Sequence, residues 1–468
     1  MFRPRWTGAL AAAIALACAC SSPPKKPKLP VTDPSVDPEG PHRAQVEAQL
    51  RPYLDGELVS GIVVGLYDLG KREIYGFGTG PGKRVPDGAT LFALGPVTKV
   101  YMGVLLADAI QRKEVELDAP IADLLPPGVT VPTRDRTPIT VRHLALHSSG
   151  LPAQPPSVNI LAPNPYATYD EEALYRDLLA TELDAQPGAG IQYSNYGAGL
   201  LGFALGRKLG GGFAKALETR VLAPLELRDT FFTVPAGAAG RRALGSDDDL
   251  APAQLWTWSA LAGAGGLVST VRDQLKFLEV QLDAAAGGKL PLRPAVRLTH
   301  EAQLENERSA ENEGLGWMID SAGRYWHGGG GGGFRSYLSF DPKTRRGVVV
   351  LASTNASPLD TIGRLMWDVL GGTAKPAFAL PAADKLAELA GTYELGGAKL
   401  QVVASGKRLY LEGGNEPRRR IVPFAADRYW IEAFQSLAVF QRSEDDARKV
   451  TGIVFSVGGR QIVARRVE

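Results

Sequence analysis

One lysine stands out among the residues that could do chemistry, because the chain around it is almost entirely apolar. Lys99 lies in the stretch from Val97 to Ile110, which is apolar nearly all the way round a helix. Such a pattern predicts a helix buried in the middle of a domain. A lysine inside it either extends its ammonium group to a surface or is held in a polar site. The residues alone leave both alternatives open.

Three further patterns suggest ligands, but each is incomplete. His143 and His147 have the four-residue spacing of a zinc pair on one helix face, yet no glutamate stands between them in the required place and no third ligand is evident. We expect packing or hydrogen bonding from them, and no metal. Residues 65–71 fit a phosphate loop, except that Arg72 replaces its Ser or Thr and the glycines lie in a predicted hairpin. Residues 328–333 are six glycines and fit any glycine template, so we expect no cofactor.

The segment from Leu94 to Lys99 reads Leu-Gly-Pro-Val-Thr-Lys, with Thr90 and Phe92 shortly before it. It resembles the start of the active-site helix in the family of class C β-lactamases, DD-peptidases and esterases. The motif of that family is Ser-x-x-Lys, and Pro96 stands at the serine position. There the serine attacks the carbonyl carbon and the lysine, one helical turn later, takes its proton. The resemblance implies that Lys99 belongs to a polar site whose nucleophile is absent.

The other two elements of the family pattern are intact. Residues 193–195, Tyr-Ser-Asn, resemble its Tyr-x-Asn, and His327 with the two glycines after it resembles its Lys-x-Gly or His-x-Gly on an edge strand. The resemblance implies that Tyr193 shares proton transfer with Lys99 and that Asn195 positions a substrate amide. It also implies that the N–H of Gly330 faces the oxyanion. Lys99, Tyr193, Asn195 and His327 are therefore the candidate site.

Pro96 changes what such a site can do. Proline has no hydroxyl to acylate and no backbone N–H, so it removes the nucleophile and, by family analogy, one of two oxyanion donors. Losing one donor costs about a hundred to a thousandfold in rate, and losing the nucleophile on the order of a millionfold. The fold tolerates proline in a first helical turn, where that N–H has no partner. Thr98 cannot replace the serine, because two residues along a helix turn a side chain by about 200°.

The first residues of the chain predict export. Arg3 and Arg5 precede a short apolar run at residues 8–17, which is too brief to span a bilayer, so residues 1–20 are predicted to be a processed signal. Cys18 and Cys20 follow small residues and resemble a bacterial lipoprotein cleavage box, which favours acylation of one of them; the alternative is an ordinary secretory signal. The prediction is a lipoprotein anchored to a membrane of the bacterial cell envelope, on its periplasmic side or at the surface.

Two domains are predicted after this signal. Residues 21–42 are proline-rich and predict an extended tether. Residues 43–375 resemble the β-lactamase domain, an antiparallel sheet flanked by helices with a helical subdomain, and open with a helical pattern and a hairpin. The segments that also follow the family pattern are 115–121, 138–152 and 264–273. Residues 385–468 contain short alternating runs, which predict a small all-β barrel. Their start, residues 389–393, resembles a lipocalin-like β-domain.

Composition sets the remaining limits. A chain of 468 residues can bury two or three cores, and its 44% hydrophobic and 22% charged content is ordinary for a globular protein. A formal charge of +2 offers no basic field for nucleic acid, so that class is excluded. No cysteine follows Cys20, so the exported domains hold no internal disulfide.

The leading hypothesis is a pseudoenzyme whose pocket binds a small molecule or a peptidoglycan-like peptide without hydrolysing it. Two alternatives stay open from the sequence. One is an active hydrolase (esterase, DD-peptidase or β-lactamase) with a non-standard nucleophile, such as water activated by Tyr193 and Lys99. The other is a scaffold that acts through its β-domain. The sequence does not fix the ligand or the oligomeric state.

Overall fold

The helix and hairpin predicted at the start of the first domain are both present in the computed structural model. The model describes residues 40–287, 292–301, 303, 312–355, 358–377, 379–413, 416–425, 427–431, 436–457 and 460–467. The predicted signal, the lipidation at Cys18 or Cys20 and most of the tether lie outside these residues. The end of the predicted tether packs on the domain, because Gly40 N donates to Tyr75 Oη (3.1 Å) and His42 Nδ1 lies 2.9 Å from a Glu73 carboxylate oxygen.

Ten α-helices among the described residues belong to the first domain, and an eleventh leads into the second. The helices of the first domain are α1 Arg43–Asp55, α2 Thr98–Gln111, α3 Val141–Ala145, α4 Glu171–Ala180, α5 Asn195–Leu209, α6 Phe213–Leu217, α7 Ala262–Gly265, α8 Val271–Ala286, α9 Arg293–Thr299 and α10 Leu359–Gly371, and the helix before the barrel is α11 Ala383–Leu389. Helix α8 is capped at its start, since the Thr270 side chain accepts a hydrogen bond from Asp273 N.

The strands of the first domain build one large antiparallel sheet and a short separate pair. Their bounds are β1 Gly61–Asp68, β2 Lys71–Gly78, β3 Phe92–Ala93, β4 Val268–Ser269, β5 Asn312–Glu313, β6 Met318–Ile319, β7 Tyr325–Gly331, β8 Phe334–Asp341 and β9 Arg346–Ala352. The sheet order is β2-β1-β9-β8-β7-β6-β5, and β3 pairs with β4. Residues 65–71 lie in the β1–β2 hairpin, which lacks the strand-loop-helix context of a phosphate loop.

Helices cover both faces of this sheet, which explains why its central strands are apolar throughout. Helix α8 packs on one face against β1, β8 and β9, and α10 packs on the other against β8 and β9. Residues 61–67 of β1 and 347–352 of β9 are therefore buried on both sides. Helix α2 lies in the helical core beside α7 and α9, and nearly all its residues are buried, Lys99 included. The predicted buried helix is confirmed.

Strand β7 is only partly an edge strand, which refines the expectation from the sequence. Its first residues pair with β6, through Tyr325 with Ile319 and Trp326 with Met318. From His327 onward, β7 pairs with β8 alone within the described part of the chain. The main-chain groups on the outer side of the glycine run therefore have no strand partner among the described residues.

The second domain is a closed eight-stranded barrel, as the sequence predicts. Its strands are β10 Gly391–Leu395, β11 Ala398–Ser405, β12 Arg408–Gly413, β13 Glu416–Ala425, β14 Arg428–Ile431, β15 Ser436–Arg442, β16 Val450–Val457 and β17 Arg460–Arg466. Each pairs with the next, and β10 pairs with β17 to close the barrel. Side chains such as Tyr393, Tyr429 and Phe440 fill the core, and Leu386 and Leu389 of α11 pack into it. Eight strands give an interior that side chains can fill.

The barrel docks on the first domain through a buried arginine. Arg420 of β13 is 2% exposed and donates to the main-chain oxygens of Gly56 (2.8 Å), Glu57 (2.7 Å) and Asp248 (2.8 Å). Tyr410 of β12 adds a hydrogen bond to the carboxylate of the residue after Asp248 (2.6 Å). These contacts fix the barrel to the segment after α1 and to the loop at residues 247–250. No helix among the described residues is long and apolar enough to cross a bilayer.

Candidate active site

The turn at Gly95–Val97 accommodates Pro96 without loss of a hydrogen bond. It is a single 3₁₀ turn that leads into α2, and Val97 N donates to Leu94 O (3.4 Å) across it. Pro96 occupies the first turn, where its missing N–H has no intrahelical partner, and its ring is half-buried. The local sequence therefore keeps the backbone shape of the motif while the hydroxyl and the amide hydrogen are absent.

The same turn packs closely against the glycine run of β7. Ser336 Oγ of β8 donates to Leu94 O (2.7 Å), and a Cβ on Gly329 would lie 2.1 Å from that oxygen. Gly95 has φ +51°, and a Cβ there would lie 3.0 Å from Gly330 N. Only glycine fits such a contact in this backbone conformation. The main chain of Gly330 is thus held beside the turn that carries Pro96.

Lys99 is held in a polar site, which resolves the alternatives left by the sequence. It is 2% exposed, and its Nζ donates to Asn195 Oδ1 (2.8 Å) and to Ala264 O (2.9 Å). The same Nζ lies 4.8 Å from the centre of the Tyr193 ring. Burial lowers the pKa of the Lys99 amine well below its ordinary value. The fold thereby brings together Lys99, Tyr193 and Asn195 from α2 and the start of α5.

His147 is a positioning residue for this cluster, and its location corrects one prediction. Helix α3 ends at Ala145, so His147 lies in the loop beyond it with φ +52° and shares no helix face with His143. Its ring stacks on Tyr193 with 4.4 Å between centroids, and its Nδ1 accepts from Ser194 N (3.1 Å). His143 Nδ1 accepts from the N–H of the α3 cap residue. Among the described residues, no three His, Cys, Asp or Glu side chains gather to hold a metal.

His327 is buried beside the same cluster. Its Nδ1 lies 2.6 Å from the carbonyl oxygen of Gly328, and burial, together with nearby Lys99, lowers its pKa to about 3. Burial likewise lowers the pKa of His147 well below its ordinary value. Burial raises the pKa of the Tyr193 phenol, with Tyr166 and Glu313 adding to the effect. Near neutral pH, these shifts favour uncharged histidine rings and a protonated phenol.

Thr98 lies on the far side of the helix, as the sequence predicts. It is fully buried, and its Oγ1 accepts a hydrogen bond from Leu267 N (3.1 Å). Its hydroxyl is therefore used to join α2 to β4 and does not face Lys99. No described residue of the turn replaces the missing serine hydroxyl.

Sequence reasoning missed an aromatic wall beside the glycine run. A Cβ on Gly331 would lie 2.5 Å from the Trp256 ring, which packs edge-to-face on Tyr166, and Tyr166 stacks on Trp258 at 4.3 Å. Trp256 is half-buried, and its Nε1 donates to Pro163 O (3.0 Å). The signal for this wall in the sequence was that two of the seven tryptophans, Trp256 and Trp258, lie two residues apart.

Comparison with known proteins agrees with this geometry. The Beta-lactamase family model matches residues 46–370, and the chain belongs to that family. The D-alanyl-D-alanine-carboxypeptidase/endopeptidase AmpH of Escherichia coli K12 is 27% identical over 360 residues, covering 74% of this chain and 91% of that protein. A Beta-lactamase of the same organism is 27% identical over 351 residues, covering 66% and 88%. Penicillin-binding protein 4 of Amycolatopsis lactamdurans is 28% identical over 335 residues, covering 65% and 84%. The resemblance to class C β-lactamases and DD-peptidases is confirmed.

Proposed function

We propose that this protein is a pseudoenzyme of the β-lactamase family, which binds a peptidoglycan-like peptide or another carbonyl ligand and does not hydrolyse it. The proposal rests on Pro96, which lies in the 3₁₀ segment ahead of α2, one helical turn before the buried Lys99. Acyl transfer in this family begins with a hydroxyl at that position, and proline has none. The turn itself is intact, so the defect is chemical and not structural.

Three features support retention of a ligand site. Asn195 keeps its carboxamide oxygen on Lys99 Nζ (2.8 Å), and its NH₂ group, which also hydrogen-bonds the Tyr166 hydroxyl, has a second N–H for a ligand carbonyl. The outer side of β7 from His327 onward has no strand partner among the described residues, so its main chain can pair with an extended peptide. Trp256 forms a half-buried aromatic wall next to it. A relative named as a D-alanyl-D-alanine-carboxypeptidase suggests a peptide ending in D-alanine as the first ligand to test.

Two assays with the purified exported protein test the proposal. We expect no hydrolysis of a chromogenic cephalosporin and no labelling by a fluorescent penicillin, with a serine β-lactamase as the positive control. We also expect saturable binding of a D-alanyl-D-alanine peptide by calorimetry, weakened at least tenfold in Asn195→Ala. Stable labelling of the wild type by penicillin would overturn the claim that the protein is inactive. Absence of peptide binding would overturn the proposed ligand class.

The second reading, an active hydrolase with a non-standard nucleophile, has its own signature. Cephalosporin turnover by the wild type that is lost in Tyr193→Phe would favour it, because the phenol is the acid beside Lys99. Turnover unchanged by substitutions at both Tyr193 and Lys99 would exclude it. The third reading, a scaffold acting through the barrel, predicts partner capture that survives Asn195→Ala and is lost when residues after 381 are deleted.

Location at the cell envelope belongs to the same proposal. The short apolar run before Cys18 and Cys20 and the proline-rich segment after them support export, acylation and a spacing from the membrane. Incorporation of labelled palmitate tests the anchor. We expect incorporation to disappear in Cys18→Ser or in Cys20→Ser, and incorporation by neither the wild type nor the variants would exclude lipidation.

A further inference from the structure

We propose that the Lys99 amine is the nucleophile of this protein, and that it condenses with a small aldehyde or ketone in the cleft to form an imine. The inference deepens the proposed function, because it rests on the absence of a serine at position 96. With a hydroxyl one helical turn away, the lysine would act as a base toward it. With Pro96 in that place, the amine has no such partner and can react itself.

The hydrogen bonds of Lys99 match a neutral amine. A neutral primary amine has two N–H bonds, and Nζ has two acceptors, Asn195 Oδ1 (2.8 Å) and Ala264 O (2.9 Å). The fourth tetrahedral direction is then left for the lone pair. A charged ammonium group would carry a third N–H, yet Lys99 makes no ion pair with a carboxylate in the described part of the chain. An isolated ammonium in such surroundings is unstable relative to the neutral form.

The burial of Lys99 also favours the neutral amine. Lys99 is 2% exposed, and burial lowers the pKa of its amine well below the ordinary value. His147 and His327 lie near Nζ, and because burial keeps their rings uncharged near neutral pH, they bring no negative charge to stabilise an ammonium group. Desolvated lysines of this kind are the ones that form imines in proteins.

Tyr193 supplies the acid that the condensation needs. The amine nitrogen attacks the carbonyl carbon, and a proton passes from nitrogen to oxygen to give a carbinolamine. The phenol of Tyr193, kept protonated by burial, donates to the leaving hydroxyl, which departs as water. Nitrogen then loses its remaining proton to the phenolate, so amine plus carbonyl gives imine plus water. A protonated imine at this place would lie near the face of the Tyr193 ring, 4.8 Å from Nζ in the free protein.

The surroundings fit a small ligand. Lys99 lines a cavity of about 20 Å³ together with His147, His327 and Glu313, which is room for about one water, and one water is released in the reaction. On the other side of the amine lie Tyr193 and Asn195, both half-buried. The carbonyl group therefore approaches the amine beside these two side chains, where a bulky or charged group next to the carbonyl would clash or lose its hydration.

Reductive trapping with propionaldehyde and cyanoborohydride at pH 7.0 tests the inference, with the full-length protein read out by peptide mass mapping. Each unit of pKa lowering raises the neutral amine fraction about tenfold, so we expect Lys99 to be modified at least tenfold faster than the exposed Lys71 and Lys113. The Lys99 adduct should require the reductant, and Tyr193→Phe should slow its formation while leaving the two exposed lysines unaffected.

The outcome is decisive without a variant at Lys99, because the wild type carries its own internal controls. Modification of Lys71 and Lys113 with none at Lys99, or equal rates at all three, would overturn the inference and leave the proposed function standing. Covalent labelling by penicillin without reductant would instead overturn the proposed function. The variant Lys99→Met serves as a second check, because it lacks the amine that would form the imine. Circular dichroism first establishes that this variant folds.

Discussion

Replacing Lys99 with methionine removes the buried amine while keeping an unbranched side chain of similar length. Burial lowers the pKa of this amine well below its ordinary value of 10.5. Between the two pKa values the unfolded chain therefore binds one more proton than the folded chain, and the free energy of unfolding rises with pH. One proton corresponds to about 1.4 kcal/mol per pH unit. From pH 8.0 to 9.5 the wild type should thus gain stability relative to Lys99→Met, by up to about 2 kcal/mol where the folded-state amine is neutral over the whole interval.

The comparison of wild type with Lys99→Met isolates the contribution of the Lys99 amine to the pH dependence of unfolding. Methionine leaves Ala264 O and Asn195 Oδ1 without their donor, a loss of about 1–3 kcal/mol that does not vary with pH in this range. His147 and His327 have lowered pKa values and stay neutral above pH 8. Tyrosines with raised pKa values contribute equally to both proteins, so their effect cancels in the difference.

The assay is urea unfolding at several pH values, followed by tryptophan fluorescence. This signal reports mainly on the first domain, because five of the seven tryptophans lie within residues 43–375. The difference in the free energy of unfolding between wild type and Lys99→Met is compared at each pH. A difference that stays constant from pH 8.0 to 9.5 would mean that Lys99 titrates in the folded state as it does in the unfolded state. That result would refute the reasoning on the neutral amine and, with it, the basis for imine formation.

Two further substitutions test how the fold builds the site. Gly95→Ala should lower the free energy of unfolding by about 1 kcal/mol more than Gly82→Ala in urea titrations. Both glycines have positive φ, but only a Cβ at Gly95 meets a main-chain nitrogen of the glycine run, at 3.0 Å; equal losses would contradict this contact. Arg420→Met should cost about 2–4 kcal/mol and separate a barrel transition in calorimetry, because three main-chain oxygens lose their buried donor. The exposed Arg448→Met should leave the calorimetric trace unchanged, and a single transition in both variants would refute the docking role.

Local patterns predicted much of the fold. The apolar run after Pro96, the hairpin pattern and the alternating runs beyond residue 385 correspond to α2, β1–β2 and the barrel, because each element buries a face that its own sequence marks. Strand β13, Glu416–Ala425, was not predicted, since three consecutive arginines and two prolines hide its alternation. One of those arginines, Arg420, is buried against the first domain and docks the barrel there, which only the tertiary structure reveals.

The site was predictable where it follows short motifs and unpredictable where it depends on loops. Lys99, Asn195 and His327 lie in motifs of fixed spacing, and the structure places them around one cleft. The role of His147 was missed because α3 ends two residues before it, so His143 and His147 do not share the helix that their spacing suggested. Trp256 was missed because it reaches the glycine run from a loop far away in sequence, where no periodicity operates.

The central claim is that the residue at position 96 silences an acyl-transfer site whose remaining parts are in place. The most direct test is the intact mass of wild type and Pro96→Ser after incubation with benzylpenicillin, since serine restores the hydroxyl and the N–H together. We predict an unchanged mass for the wild type and one penicilloyl group on Pro96→Ser, located at residue 96. A penicilloyl adduct on the wild type would contradict the account.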